Sequence, residues 1–291
     1  MRNALTVDLE DWFQVSNFEG VIPRSEWDAY PSRVESSTRR LLDLFARFDV
    51  RGTFFVLGWV ADRFPELVRE VRSRGHEIAS HGYAHELVYT LDPARFAADV
   101  TRSLDVIERA CGVRPRGYRA PSFSIDHRAP WAFDVLLDCG VAYDSSVFPV
   151  RHPRYGVPRF ARVPCRVRTP RGRELPEFPL TTLRILGRNW GASGGGYLRL
   201  LPLTVLTEAF RRMNANGQPA VLYIHPWEVD PEQPRVPVRG LGRITHYTNL
   251  TGTYGRLERM LGSFEFGTMS DALAHAPDVR APAVSFQEFL P

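Results

Sequence analysis

Apolar positions along this chain fall into two alternating patterns. Short continuous runs occur at residues 4–7, Thr53-Phe54-Phe55-Val56-Leu57, His76-Glu77-Ile78-Ala79-Ser80, Gly117-Tyr118-Arg119, Val141-Ala142-Tyr143 and Ala220-Val221-Leu222-Tyr223-Ile224. Such runs, bounded by turn residues, predict buried strands. Between them the apolar residues recur at helical spacing. Leu41, Leu42, Leu44 and Phe45 predict a helix that starts after Ser32 or Ser36 and ends near Phe48. Further helices are predicted over 60–74, 93–111, 129–139 and 203–216, the first three stopping at Gly75, Gly112 and Gly140, where a left-handed residue closes a helix at no steric cost. Repeated strand–helix units argue for an α/β fold with parallel strands.

Three stretches break the rhythm. Residues 12–31 are aromatic and turn-rich and read as a long loop. Residues 149–200 are rich in Pro, Arg and Gly and read as an insertion of hairpins and loops. From about 231 the pattern predicts one more helix, near 255–261, and a final pairing segment. The expected organisation is one domain over 1–230 carrying that insertion, with 231–291 as an extension packed on it. No internal repeat or low-complexity tract is present.

Composition narrows the chemistry. A net charge of +4 is too mild to argue for nucleic acid. All 37 basic residues are arginine, which removes lysine Schiff bases and the P-loop lysine. Cys111, Cys139 and Cys165 are odd in number and widely spaced, unlike a disulfide framework or a cysteine zinc site. The N-terminus lacks a signal-peptide apolar stretch and no segment is long enough to span a membrane. The expectation is a soluble, cytoplasmic protein of open oligomeric state.

The chemistry-bearing residues sit where predicted strands end. Asp8, Glu10 and Asp11 follow the first strand, His81 and His85 the third, and Arg119, Asp144 and His225 end later ones. One carboxylate and two imidazoles make a hydrolytic metal site with positions left for water and substrate. On a helical turn, the four-residue spacing of His81 and His85 would set both rings on one face. Arg119 could keep a carboxylate base ionised, and Asp144 could favour protonated His225 as an acid. Trp227 could supply an aromatic wall after the Pro226 turn.

The ordered set Thr6-Val7-Asp8-Leu9-Glu10-Asp11, His81-Gly82-Tyr83-Ala84-His85, Arg119-Ala120-Pro121, Asp144-Ser145-Ser146 and Leu222-Tyr223-Ile224-His225 resembles the polysaccharide deacetylases of the NodB-homology type, carbohydrate esterase family four. The resemblance spans about residues 4–228. Glu177-Phe178-Pro179-Leu180, the run from Gly194 to Pro202, and His225-Pro226-Trp227-Glu228 resemble the subgroup linked to exosortase (PEP-CTERM) exopolysaccharide loci.

The family likeness implies a distorted (β/α) barrel with fewer than eight parallel strands. It implies a divalent metal, zinc in the first instance with cobalt or manganese as alternatives, and removal of N-acetyl groups from the amino sugars of a glycan. By position, Asp8 is the base, His81 and His85 are ligands, Arg119 orients Asp8, Asp144 supports His225 and His225 is the acid. The Ser122 N–H helps bind the oxyanion, and Trp12, Trp227, Tyr197 and Leu222 are expected to face substrate. The family's usual pair of adjacent Asp is interrupted by Leu9, so the carboxylate ligand is either Glu10 or Asp11. Two rival readings are an enzyme of the same fold acting on a small non-sugar amide and a glycan-binding module without turnover.

Overall fold

The computed structural model describes residues 1–238, 241–277 and 283–289. Among the described residues, the first five strands run parallel. In chain order they are β1 (Asn3–Leu9), β2 (Thr53–Val56), β3 (Glu77–Ser80), β4 (Gly117–Tyr118) and β5 (Tyr143–Asp144). The antiparallel β6 (Cys165–Arg168) precedes β7 (Glu174–Glu177). The hairpin strands β8 (Thr182–Ile185) and β9 (Arg188–Gly191) precede β10 (Val221–Ile224). The short β11 (Phe266–Gly267) and β12 (Val284–Ser285) complete the set. The sheet order is β10-β1-β2-β3-β4-β5-β7-β6-β12, with β11 also on β1 and β8–β9 apart.

This sheet curls into a barrel. On β1, Leu5, Val7 and Leu9 face an outer apolar layer shared with the helices, whereas Ala4 joins an inner cluster with Phe55, Ala79, Val221 and Tyr223. Burial on both faces explains why these strands read as continuous apolar runs. The gap between β5 and β10 is closed by the chain that flanks the hairpin. Phe178 N donates to Asp144 O (2.9 Å) and Leu180 N to Val147 O (3.0 Å). On the other side Val221 N donates to Thr181 Oγ1 (2.7 Å), and Tyr223 N to Ser193 O (2.8 Å).

Most predicted elements stand where the pattern set them. Pro93–Cys111 is one helix, its Asp92 cap accepting from Arg95 N at 2.9 Å and Gly112 closing it at φ 73°. Residues 149–200 contain the β6–β7 and β8–β9 hairpins. Two expectations change. The helix foreseen over 60–74 is two, Gly58–Arg63 and Pro65–Ser73, because proline disfavours a helical residue before it and Phe64 leaves the helix. Among the described residues the tail holds three α-helices, Leu241–Tyr247, Leu250–Ser263 and Met269–His275. The foreseen pairing segment is β12 on β6, while 239–240, 278–282 and 290–291 of the expected extension lie outside the described residues. No helix among the described residues is long and apolar enough to cross a membrane.

Candidate active site

The C-terminal ends of the parallel strands surround a cavity of about 300 Å³ lined by Asp8, Glu10, His81, His85, Ser122, Tyr197, His225 and Trp227, among others. This is the end of a barrel where loops gather chemistry. β1 stops at Leu9, and Glu10 N bonds back to Asp8 O at 3.0 Å. That tight turn leaves both carboxylates in the cavity.

Glu10, His81 and His85 form the candidate metal centre, with one potential ligand atom from each within 4.8 Å of the others. Glu10 Oε2 lies 2.9 Å from His85 Nε2 and 4.0 Å from His81 Nε2. His81 Nδ1 pairs with Arg119 O at 2.8 Å, which turns Nε2 toward the cavity, the arrangement of a ligating imidazole. Glu10 Oε2 and His85 Nδ1 are buried without a hydrogen-bond partner. A buried, unsatisfied carboxylate oxygen beside two imidazoles fits a divalent cation. Burial alone would raise the Glu10 pKa, but His85, His225 and His81 outweigh it and hold it at about 2. Burial chiefly pushes His81 down to about 4, keeping it neutral.

The two histidines do not share a helix. Gly82 and His85 are left-handed, at φ 73° and 53°, and the loop is shaped from outside. The Asp99 carboxylate accepts from Tyr83 N (2.9 Å) and Ala84 N (3.2 Å), while Arg24 donates to the Ala84 and His85 carbonyls.

Asp11 is the first correction. Its carboxylate turns away from the cavity, accepting from Trp12 N (2.9 Å), Arg33 N (3.2 Å), Val34 N (3.4 Å) and Ser32. It caps the helix Val34–Arg47, and among the described residues Glu10 is the carboxylate grouped with His81 and His85.

Arg119 is fully buried beneath the site. Its Nη1 donates to Asp8 Oδ1 (2.7 Å) and Thr6 Oγ1 (2.8 Å), and its other nitrogens donate to Ser145 O and Oγ. In a flat sheet β1 and β4 would stand three strand spacings apart, about 14 Å. Curvature brings Arg119 to Asp8. His225 Nε2 stands 3.8 Å from Asp8 Oδ2 and 3.7 Å from Glu10 Oε1.

His225 is not supported by Asp144, the second correction. Asp144 bonds Ser146 Oγ at 2.6 Å and pairs with Glu177 across β5 and β7. The His225 partner is Glu228, whose Oε1 accepts from His225 Nδ1 (2.7 Å) and His225 N (3.0 Å). Arg199 Nε donates to Glu228 Oε2 at 2.6 Å, and both side chains are buried. Burial lowers the His225 pKa, but Glu228, Glu10 and Asp8 raise it to about 9. The sequence contains Glu228 three residues after His225, on the short turn Pro226–Val229, and that spacing was the available signal for the pair.

The expected substrate wall is only partly in place. Trp227 lines the cavity, stacked between His225 (5.0 Å, 23°) and His246 (4.3 Å, 14°), its Nε1 donating to Glu10 Oε1 at 3.3 Å. Tyr197 also lines it, its hydroxyl 3.4 Å from that of Tyr155. Trp12 does not: it is buried against Phe13, Phe18 and Tyr30, with Nε1 donating to Pro31 O at 3.0 Å. Leu222 belongs to the outer apolar layer, since strand alternation turns its neighbour Tyr223 inward. Ser122 sits at the cavity in a left-handed conformation (φ 51°), its hydroxyl 2.7 Å from that of Ser16. His152, Arg154 and Tyr155 complete the rim. They lie in the insertion, away from any strand end, where the sequence offers no strand signal for them.

Comparison with known proteins agrees with this architecture. Residues 26–142 match the polysaccharide deacetylase family model, and residues 145–274 match a domain of unknown function, DUF3473. The chain is 28% identical over 96 residues to a peptidoglycan-N-acetylglucosamine deacetylase of Bacillus cereus, 33% of this chain and 35% of that protein. It is 34% identical over 127 residues to a chitooligosaccharide deacetylase of Bradyrhizobium sp., 42% of this chain and 55% of that protein. The matches thus span about a third to somewhat over half of the relatives' length. Among solved structures, a candidate polysaccharide deacetylase from Mycobacterium smegmatis superposes with TM-score 0.60 at 23% identity, covering 94% of this chain and 90% of that one. A family 4 carbohydrate esterase from Streptomyces lividans gives 0.51 at 16%, covering 92% and 91%. The fold is the distorted barrel these proteins share, and the sequence matches show a likeness to polysaccharide deacetylases over residues 26–142.

Proposed function

We propose that this protein is a metal-dependent N-deacetylase acting on the amino sugars of a polysaccharide. The observation that carries the reading is the convergence of Glu10, His81 and His85 beside the Asp8–Arg119 pair and His225. A binding module needs no proton acceptor and donor flanking a cation site. The relatives named as deacetylases of peptidoglycan and chitooligosaccharide support a glycan substrate.

Glu10, His81 and His85 would hold a divalent cation, for which this donor set suits zinc, with cobalt and manganese as alternatives. Bound there, such an ion supplies Lewis acidity toward an acetyl carbonyl and a more acidic water. Asp8 takes the proton from the attacking water, and Arg119 keeps that carboxylate oriented. The Ser122 N–H stabilises the developing oxyanion. His225 gives its proton to the departing amine nitrogen, with Glu228 and Arg199 fixing the ring. Trp227, Tyr197 and Tyr223 offer apolar faces to a sugar. The cavity is at the lower end of the usual ligand-pocket range, which suits one sugar unit at a time.

The exosortase-linked motifs support a place in exopolysaccharide biosynthesis. The domain boundary near 230 is part of this proposal, with the Leu250–Ser263 helix packing on the Pro226–Val229 turn. The test is acetate release from N-acetylhexosamine oligomers with added divalent metal, comparing the wild type with His81→Ala. Acetate that disappears in the variant, together with lost metal retention, is expected. Sugar binding without acetate would establish the module instead, and acetate-free hydrolysis of a small amide would establish the other rival.

A further inference from the structure

The β8–β9 hairpin carries an apolar tip that the rest of the fold does not cover. Leu186 is 98% exposed, Trp190 56% and Ile185 45%. Leu186 and Gly187 form the two-residue turn, with φ 48° and 77°. A turn with positive φ at both positions favours Asn-Gly or Asp-Gly, so leucine here opposes both backbone preference and solvation. The root is fixed, since Leu183 and Ala192 pack on Ala209 of the helix Leu203–Ala215. The hairpin has no carboxylate, and Arg184 and Arg188 are exposed beside the apolar residues. Arg162 lies at its base, donating to Thr182 Oγ1 at 2.9 Å.

We propose that this hairpin tip docks the protein on an anionic lipid surface, with Leu186, Ile185 and Trp190 entering the interface and Arg184 and Arg188 pairing with lipid phosphates. An exposed leucine and tryptophan flanked by cations is the chemistry of an interfacial contact that lies on a bilayer without spanning it. A protein partner or a second copy would be expected to meet a broader face than a two-residue tip. The cationic flank, free of carboxylates, selects an anionic surface.

The inference is independent of the deacetylase reading and is tested separately, on the full chain. Flotation uses vesicles of phosphatidylcholine with and without phosphatidylglycerol, at low and high salt. The wild type should float with the anionic vesicles and be released by salt. The double variant Ile185→Thr/Leu186→Asn, which places Asn-Gly in the turn and so favours folding, should lose about tenfold or more of that partition. Arg184→Gln/Arg188→Gln should lose the preference for anionic lipid. Trp190 emission should shift to the blue on binding, read as the difference from Trp190→Phe. Acetate release from soluble oligomers should be unchanged in all these variants. Wild-type protein left unfloated at low salt, or a tip variant that floats equally well, overturns the proposal. So does a change in oligomeric mass on mutating the tip, which would assign it to a contact between copies, or Trp190-dependent binding to polysaccharide without vesicle binding.

Discussion

Two carboxylates expected to serve the site are replaced by neighbours, for reasons of reach. Asp144 ends β5, and its carboxylate is taken up by Ser146 and Glu177 rather than by His225. Glu228 sits one turn past His225 and bonds both its ring and its backbone. Glu228→Gln should therefore lower kcat by about 10²-fold, the scale of one acid–base contribution, with KM nearly unchanged because the residue touches no substrate. Asp144→Asn should leave kcat/KM within about threefold. Steady-state acetate release by both variants decides between the two carboxylates. Asp8, His81, His85, Arg119 and His225 were legible because each follows a strand, and parallel strands end on one face. Glu10 against Asp11 was not, because the answer depends on a turn after β1 that directs one carboxylate inward and the next to the backbone of residues 33–34. That division gives a second prediction. Glu10→Gln should lose metal, read as metal content after dialysis. Asp11→Ala should retain it while losing about 1–2 kcal/mol of stability, the cost of a lost helix cap.

At the level of elements, periodicity located the helices and the central strands because both faces of β1, β2 and β10 are covered and each long helix buries one stripe. It was silent on the seam. Nothing in the pattern of residues 178–195 says that they fill the gap between β5 and β10, since these contacts are made by backbone and hydroxyl groups with no hydrophobic period. Gly194 is the tightest point. Its φ is 136°, and a Cβ there would stand 1.9 Å from Tyr223 O. No side-chain movement relieves a clash with backbone. Gly194→Ala should cost more than about 3 kcal/mol, the range of combined strain and core disruption. Because Tyr223 lines the cavity, activity should fall with stability. Urea denaturation measures the first, and a control at Gly187, whose Cβ would meet nothing within 4 Å, separates clash from strain.

The molecule as a whole stores neutral histidines in its interior, and this sets its response to acid. His76 is buried between Phe45 and Phe54, and its Nδ1 accepts from Gly52 N at 3.1 Å. Burial, aided by Arg74 and Arg51, lowers its pKa from 6.5 to about 4. His246 is pushed down to about 3, by burial and then by Arg199. Below pH 6.5 the unfolded chain takes up protons that the folded one refuses, so the unfolded state gains as pH falls. The stability these groups contribute is complete above about 6.5 and is lost progressively as pH falls toward 4, where His76 finally protonates in the fold. For His76 the full loss is on the order of 3 kcal/mol. Replacement by glutamine keeps an acceptor for Gly52 N but no titrating ring. His76→Gln should therefore be less acid-sensitive than the wild type, with a smaller drop in urea midpoint between pH 7.5 and pH 5. An equal drop in both would mean that the charge on His76 is not what the fold resists. The same measurement on His246→Gln reports on the stack that backs Trp227, so a parallel result there would tie acid loss of the barrel to acid loss of the site.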